Sequence, residues 1–202
     1  MDGPLCSNCK YYIVSESENT CVSCGRPCGP NGVCKVCRVP YTKGWYVGPR
    51  KDALQRLVGL CKFERLQAAY RNLGDLLLSI VPDLPSNVII VPVPTVGSHI
   101  RERGYDHMLL VARYFAKKRG LNMSQILKRS THTKQRQASA GVRKAQAKTA
   151  FMVKGEIVKD APYLLIDDVM TTGSTLKYAA KALRQAGASQ VWVAVIARQT
   201  LD

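Results

Sequence analysis

Two adjacent carboxylates, Asp167 and Asp168, stand just after an apolar run, Tyr163 to Ile166, and just before the hydroxyl-rich stretch Thr171-Thr172-Gly173-Ser174-Thr175. The apolar run suits a buried strand of a parallel sheet that ends at the carboxylates, and a helical pattern opens after Thr175. A tight turn into a helix N-terminus makes an anion cradle. Free backbone N–H groups and the positive end of the helix dipole favour negative charge, and Thr and Ser hydroxyls add donors. Gly173 lets the backbone approach a ligand without a Cβ in the way. The carboxylates would repel that anion, so they must face something else. Sugar hydroxyls are good donors to a carboxylate, and a divalent cation is another partner. The chemistry implied is a sugar-phosphate site. The competing reading is an acidic strand end followed by an ordinary Thr or Ser helix cap.

This segment resembles, at every position, the phosphoribosyl-pyrophosphate (PRPP) motif of the type I phosphoribosyltransferases. The resemblance implies that Asp167 and Asp168 hold the ribose hydroxyls, and that Thr171, Thr172, Gly173, Ser174 and Thr175 wrap the 5′-phosphate.

The second cluster of reactive side chains is at the other end of the chain. Of eight cysteines, all but Cys61 fall between residues 6 and 37. They form three Cys-x-x-Cys pairs, Cys6/Cys9, Cys21/Cys24 and Cys34/Cys37, with Cys28 left over. Each pair can offer two thiolates to one tetrahedral ion from a tight turn, and two pairs close a zinc site. Cys21, Cys24, Cys34 and Cys37 enclose a short Gly- and Pro-rich loop and would make a compact site. Cys6/Cys9 with Cys21/Cys24 would close a ribbon instead. A head so poor in apolar residues needs a metal to fold. The alternatives are disulfides or a metal-free head. Met1 to Cys6 shows neither a basic nor an apolar signal region, so a cytoplasmic setting is expected, where disulfides are rare.

The 202 residues suffice for one domain and a small appendage. A hydrophobic content of 46% with 22% charged residues is that of a globular protein and argues against wholesale disorder. No run is long enough for a transmembrane helix, so no membrane insertion is expected. The net charge of +16 is more than solubility requires and points to a polyanionic partner such as nucleic acid, or to a ligand with several phosphates. From His107 to Gly155 no acid occurs, while twelve Lys and Arg do. Within that tract, Thr131 to Lys148 is polar and has the composition of a loop that orders on an anion.

The elements that must position these residues are legible in outline. Lys43 to Pro49 reads as a link out of the head, dividing a unit over 1–44 from one over 45–202. Residues 53–81 carry helical spacing. Asn87 to Pro94 is a buried strand ending in prolines, followed by a loop holding Thr95, Gly97, Arg101, Glu102, Arg103 and Gly104. A helix is expected over 106–119, another through Leu176 to Leu183 with Gly187 ending it, and a last strand over Val191 to Ala197. Strands alternating with helices imply an α/β fold with a doubly wound parallel sheet, whose ligands bind at the carboxyl ends of the strands. The loops after Pro94 and Ile166 should share that edge.

In this order the chain is similar to the ComF family. The stretches that carry the likeness are Cys21-Val22-Ser23-Cys24-Gly25-Arg26-Pro27, Val91-Pro92-Val93-Pro94, Arg101-Glu102-Arg103-Gly104-Tyr105, Arg143 with Ala150-Phe151, and Asp167 to Thr175. The resemblance implies a type I phosphoribosyltransferase body with a small N-terminal four-cysteine zinc-binding domain, and a role in uptake of single-stranded DNA during natural transformation. It implies PRPP bound with magnesium, its pyrophosphate on Pro94, Thr95 and Val96 beside Arg101 and Arg103. Arg136, Arg143 and Lys144 would close over it as the catalytic cations. A DNA-uptake helicase or channel protein is a further implied partner. The family's second Cys pair is replaced here by Tyr11 to Thr20, which leaves Cys21, Cys24, Cys34 and Cys37 as the zinc ligands. Its usual Asn-Gln is Asp106-His107, and in the basic tract Ala138 and Gln146 replace Leu and Asn. Three functions follow: a phosphoribosyltransferase with an unnamed acceptor, a salvage-type enzyme among them; a nucleic-acid binder using the pocket as a ligand sensor; and an interaction protein docking through its head. His99, His107 and His132 are expected to be loop or surface residues.

Overall fold

The computed structural model describes residues 7–15, 19–62, 68–129 and 151–199. Five parallel strands form the central sheet in the order β1-β7-β6-β2-β3. They are β1 (Lys43–Pro49), β2 (Ile89–Pro92), β3 (Asn122–Met123), β6 (Pro162–Met170) and β7 (Gln190–Arg198). Strands β4 (Leu127–Arg129) and β5 (Phe151–Val153) pair antiparallel as a separate two-stranded sheet. Central strands β6 and β7 are buried along most of their length, which is why they read as unbroken apolar runs.

Each face of the sheet has its own core. On one face α2 (Asp52–Lys62), α3 (Ala69–Ile80) and α5 (His107–Arg119) pack Leu57, Leu73, Leu77, Val111 and Phe115 against Leu164, Ile166 and Ile196. On the other, α6 (Ser174–Gln185) packs Leu176, Ala180 and Leu183 against Leu165, Val193 and Val195, together with Val22 and Tyr41 from the cysteine-rich head. The head therefore completes the second layer over β1 and β7. Its attachment is a close one. Gly44 N–H donates to the Asn31 carbonyl at 2.8 Å, and Gly32, at φ 63°, lies so near the Gly44 backbone that a Cβ would overlap its carbonyl. Thr20 Oγ1 and Tyr46 Oη are hydrogen-bonded at 2.7 Å, and Ser23 Oγ and Tyr41 Oη at 2.6 Å.

Two expectations need correction. Lys43–Pro49 is not a link but an edge strand, so the division at 44/45 falls inside β1, which already pairs Lys43 with Trp192. The helical spacing of residues 53–81 is borne out, among the described residues, by α2 and α3. The loop after Pro94 contains α4 (Gly97–Arg103), a helix with no buried residue and hence no apolar stripe to betray it. A short helix, α1, spans Ser7–Ser15. No helix among the described residues is long and apolar enough to cross a membrane.

Candidate functional site

The edge formed by the carboxyl ends of β2 and β6 opens into a cleft of about 210 Å³ lined by Pro94, Thr95, Val96, Arg103, Asp167, Asp168 and Thr175, joined by Lys62, His99, His107 and Arg129. Strand β6 does not stop at Ile166 as expected. It continues through both carboxylates to Met170, because β7 stays in register beside it, pairing Asp167 with Val195 and Met170 with Arg198. The carboxylates are thus held by a rigid strand.

Asp168 is the more tightly fixed. Its Oδ2 receives Lys62 Nζ at 2.7 Å and His107 Nε2 at 2.5 Å. The Arg103 guanidinium donates to His107 Nδ1 at 3.2 Å. A guanidinium can only donate, so the imidazole carries its proton on Nε2 and passes it toward Asp168. Burial alone would raise the Asp168 carboxyl, but the His107 hydrogen bond and the Lys62 charge outweigh it and hold the group below the usual carboxylate range. Asp167 goes the other way. Burial, and then the neighbouring Asp168 charge, push it up to about 8. One carboxylate in the pair is thus strongly ionic and the other resists ionisation.

The loop facing the pair is pinned on both sides. Thr95 Oγ1 donates to Asp106 Oδ1 at 2.9 Å, and the same oxygen caps α5 by accepting from the N–H groups of Met108 and Leu109. Arg129 Nε donates to the Pro94 carbonyl at 2.7 Å while its guanidinium lies over the Phe151 ring. Beyond Met170, Thr171 and Thr172 are exposed and Gly173 takes the left-handed conformation at φ 71°, which an L side chain rarely adopts. Gly173 is the N-cap of α6 and has no side chain to offer, but Thr172 Oγ1 accepts from the Ser174 N–H at 3.4 Å. The expected alternative of a Thr or Ser cap is thus met in part, by the threonine one residue before the N-cap. Thr172 Oγ1 and Ser174 Oγ are 2.9 Å apart across it.

The cysteine head brings Cys21, Cys24, Cys34 and Cys37 together with all four sulfurs within 4.8 Å of one another. Cys24 and Cys34 sulfurs are 3.6 Å apart. A tetrahedral zinc with bonds of about 2.3 Å sets its thiolates roughly 3.8 Å apart, so the donor set fits that ion. The Cys34 N–H donates to Cys21 Sγ at 3.3 Å. Backbone N–H from Cys37 is the first cause that draws the Cys34 thiol down to about 6, whereas burial and the other thiols push Cys37 up. Four crowded thiols do not all ionise without a cation among them. Cys28 is close enough to feel three of these sulfurs but is not one of the four.

Residues 62–200 match the phosphoribosyl transferase domain family. The chain is 31% identical to competence protein F of Haemophilus influenzae, over 96% of this chain and 90% of that protein. It is 23% identical to competence protein ComFC of Bacillus subtilis, over 92% and 80%. It is 32% identical to the DNA utilization protein YhgH of Salmonella typhi, over 93% and 88%. The chain belongs to the ComF family. As in the ComF reading of the sequence, a phosphoribosyl transferase domain follows a four-cysteine cluster that could hold zinc.

Most of the expected site residues of this ComF chain are brought together. Pro94, Thr95, Val96, Arg103, Asp167, Asp168 and Thr175 share the cleft, whereas Thr171 to Ser174, on the turn leading to Thr175, are not among its lining residues. Arg101 is exposed on α4 and is not among the lining residues. Arg136, Arg143 and Lys144, with His132, lie outside the described residues, as does Cys6. His107 overturns its expectation: it is buried, not a surface histidine, and it bonds to Asp168. Lys62 and Arg129 were not singled out for this cleft. His107 had a signal, since it stands four residues before Val111 and eight before Phe115 on the buried stripe of α5. Lys62 had none, because only the tertiary placement of the end of α2 takes it to β6.

Proposed function

We propose that this ComF-family protein binds PRPP with magnesium and acts in DNA uptake. The observation that carries the reading is the meeting, in one cleft, of two strand-held carboxylates with the Pro94–Val96 loop and the first turn of α6 at Thr175. Asp167 and Asp168 would accept from the ribose hydroxyls. Thr171 to Thr175 would hold the 5′-phosphate. The pyrophosphate would rest on Pro94 to Val96, with Arg103 in the cleft and Arg101 outside it. Hard oxygen donors of the pyrophosphate and ribose suit magnesium, which would neutralise the leaving group when bound. Arg136, Arg143 and Lys144 are proposed to close over it, stabilising the charge released with pyrophosphate and excluding water.

The names of the relatives, competence and DNA utilization, support a DNA-linked role. A helicase or channel of the uptake machinery is the partner we propose for it. Labelled PRPP incubated with protein and magnesium, with and without single-stranded DNA, tests the pair of claims by pyrophosphate release. Release that appears only with DNA ties the cleft to the nucleic acid. Release that needs an added nucleobase or amine and ignores DNA identifies a salvage-type enzyme. PRPP that neither binds nor turns over defeats the proposal.

A specific observation also favours a nucleic-acid surface. Arg113, Lys117 and Lys118 are exposed on α5, and Lys128 and Lys154 on the β4–β5 pair and just beyond it, all in the acid-free tract. Not all the tract is available, since Arg119 is held by Asp83 and Arg129 by Pro94. Single-stranded DNA affinity is expected to fall steeply with salt, each neutralised phosphate adding about −0.7 to the log–log slope. Removing Lys134, Arg136, Arg143 and Lys144 together should flatten the slope by a few phosphates' worth, irrespective of sequence. Fluorescence anisotropy across a salt series reads this. A wild type with no affinity at low salt would confine the charge to the phosphate ligand.

A further inference from the structure

Among the described residues, Lys62 is the cleft cation that neither the phosphate features nor the loop anchors use. It projects from the last turn of α2, whose end is fixed by Tyr105 Oη donating to the Cys61 carbonyl at 2.5 Å. Its ammonium sits 2.7 Å from Asp168 Oδ2, with both side chains mostly buried at 18% and 13% exposure. His107 Nε2 takes the same oxygen. Two donors on one carboxylate oxygen use its two lone pairs. Asp167 Oδ1 accepts the Asp168 N–H at 2.9 Å. What remains, among the described residues, is Oδ1 of Asp168 and Oδ2 of Asp167. Two acceptor oxygens are what two neighbouring sugar hydroxyls require.

They are a poor seat for a bare divalent ion. Magnesium takes six oxygens in near-ideal octahedral geometry and is usually anchored by one or two carboxylates. Here it would approach a pair whose negative charge is already balanced by Lys62 on Asp168, with Arg129 within electrostatic reach of Asp167. A 2+ ion a few ångströms from an ammonium in a half-buried cleft is strongly repelled. A pyrophosphate, by contrast, brings its own negative charge and its own oxygen ligands.

We propose that Lys62 is the resident counter-cation of the acidic pair, so that the ligand-free protein takes up no free divalent metal there. Only the positioning role that follows rests on the phosphoribosyl reading of the cleft. Lys62 thereby acts through Asp168 as a positioning residue: it sets the carboxylate with Oδ1 toward the ligand and keeps free metal out.

Manganese in place of magnesium makes the uptake measurable by electron paramagnetic resonance on the full-length, ligand-free protein. Wild type and Lys62→Arg are expected to leave millimolar manganese free. Lys62→Met should gain one site, about tenfold tighter or more, because the repelling charge is gone. Adding Asp168→Asn to Lys62→Met should abolish that site. Manganese bound tightly by the wild type itself, or a Lys62→Met site that survives Asp168→Asn, overturns the proposal, as does a Lys62→Met protein of wild-type melting temperature that gains nothing. Should Lys62→Met not fold, Lys62→Gln supplies the neutral arm with the same expected gain, and no gain in a folded Lys62→Gln overturns the proposal. A calorimetric arm with PRPP and magnesium separates the two readings. If PRPP does not bind at all, the phosphoribosyl reading fails while the manganese result still decides the role of Lys62.

Discussion

Asp167→Asn and Asp168→Asn should each weaken PRPP binding, by roughly 10- to 100-fold for the loss of a charge-assisted hydrogen bond, and together should abolish it. Their effects on stability should have opposite signs. Asp168 is held low by His107 and Lys62 against the cost of burial, so its ionised form stabilises the fold. Asparagine there leaves the Lys62 ammonium half-buried with no carboxylate, a loss of about 1–3 kcal/mol. Asp167 is pushed up to about 8 by burial and by the Asp168 charge, so asparagine at 167 removes a group that the fold prefers protonated. The pH dependence follows from linkage. The proton on Asp167 is bound more tightly in the folded chain than in the unfolded one. Its favourable contribution is complete below its ordinary value near 3.8 and is lost as the pH rises toward 8. The wild type should therefore lose stability relative to Asp167→Asn across that window. Asp168 contributes above its ordinary value near 3.8, and its contribution fades as the pH falls below it. Thermal melts of the three proteins from pH 4 to 8, with PRPP calorimetry at pH 7, test both halves. An Asp168→Asn protein as stable as the wild type at pH 7 would mean that the Lys62 contact contributes nothing. Unchanged PRPP affinity in the double variant would remove the ribose assignment.

The stability split between the two carboxylates could not have been read from the sequence, and the reason is general to this fold. Sequence pattern reports periodic burial, so β6, β7, α5 and α6 were legible from runs and stripes of apolar residues. It also reports local chemistry, so the turn from Thr171 to Thr175 was legible from its glycine and hydroxyls. It does not report which distant chain end meets the carboxylates. Lys62 lies more than a hundred residues before Asp168, at the end of a helix whose register gives no sign of the contact. The edge strand β1 was hidden for a different reason. Gly44 and Gly48 interrupt its aromatic and β-branched residues and lower its strand propensity. Those glycines are there because the head and α1 press on the strand: Val22 packs against Gly44, and Ile13 approaches Gly48. Helix α4 was hidden because it buries nothing.

Zinc loss should have the other large effect, and it should not stay within the head. Cys21→Ser and Cys34→Ser each remove one of four thiolates, and each is expected to drop the bound zinc from about one per chain to nearly none. Structural zinc contributes apparent free energies of about 10–16 kcal/mol in small fingers, comparable with the whole stability of a domain. The head has little else to fold around. It does, however, supply Val22 and Tyr41 to the core beneath β1 and β7, and Gly32 closes against Gly44. Once the cysteine loop opens, that face of the sheet loses its cover, so the melting transition of the phosphoribosyl transferase domain should shift downward with the metal content. Cys28→Ser should retain zinc, because Cys28 stands outside the set of four sulfurs, and Cys6→Ser should do less than either ligand variant. Metal analysis alongside thermal melts decides each point. Zinc retained by Cys21→Ser would move the site to another combination of pairs. Zinc lost with no change in the melt would mean that the head is a passive appendage, which the burial of Val22 against Val193 and Gly44 argues against.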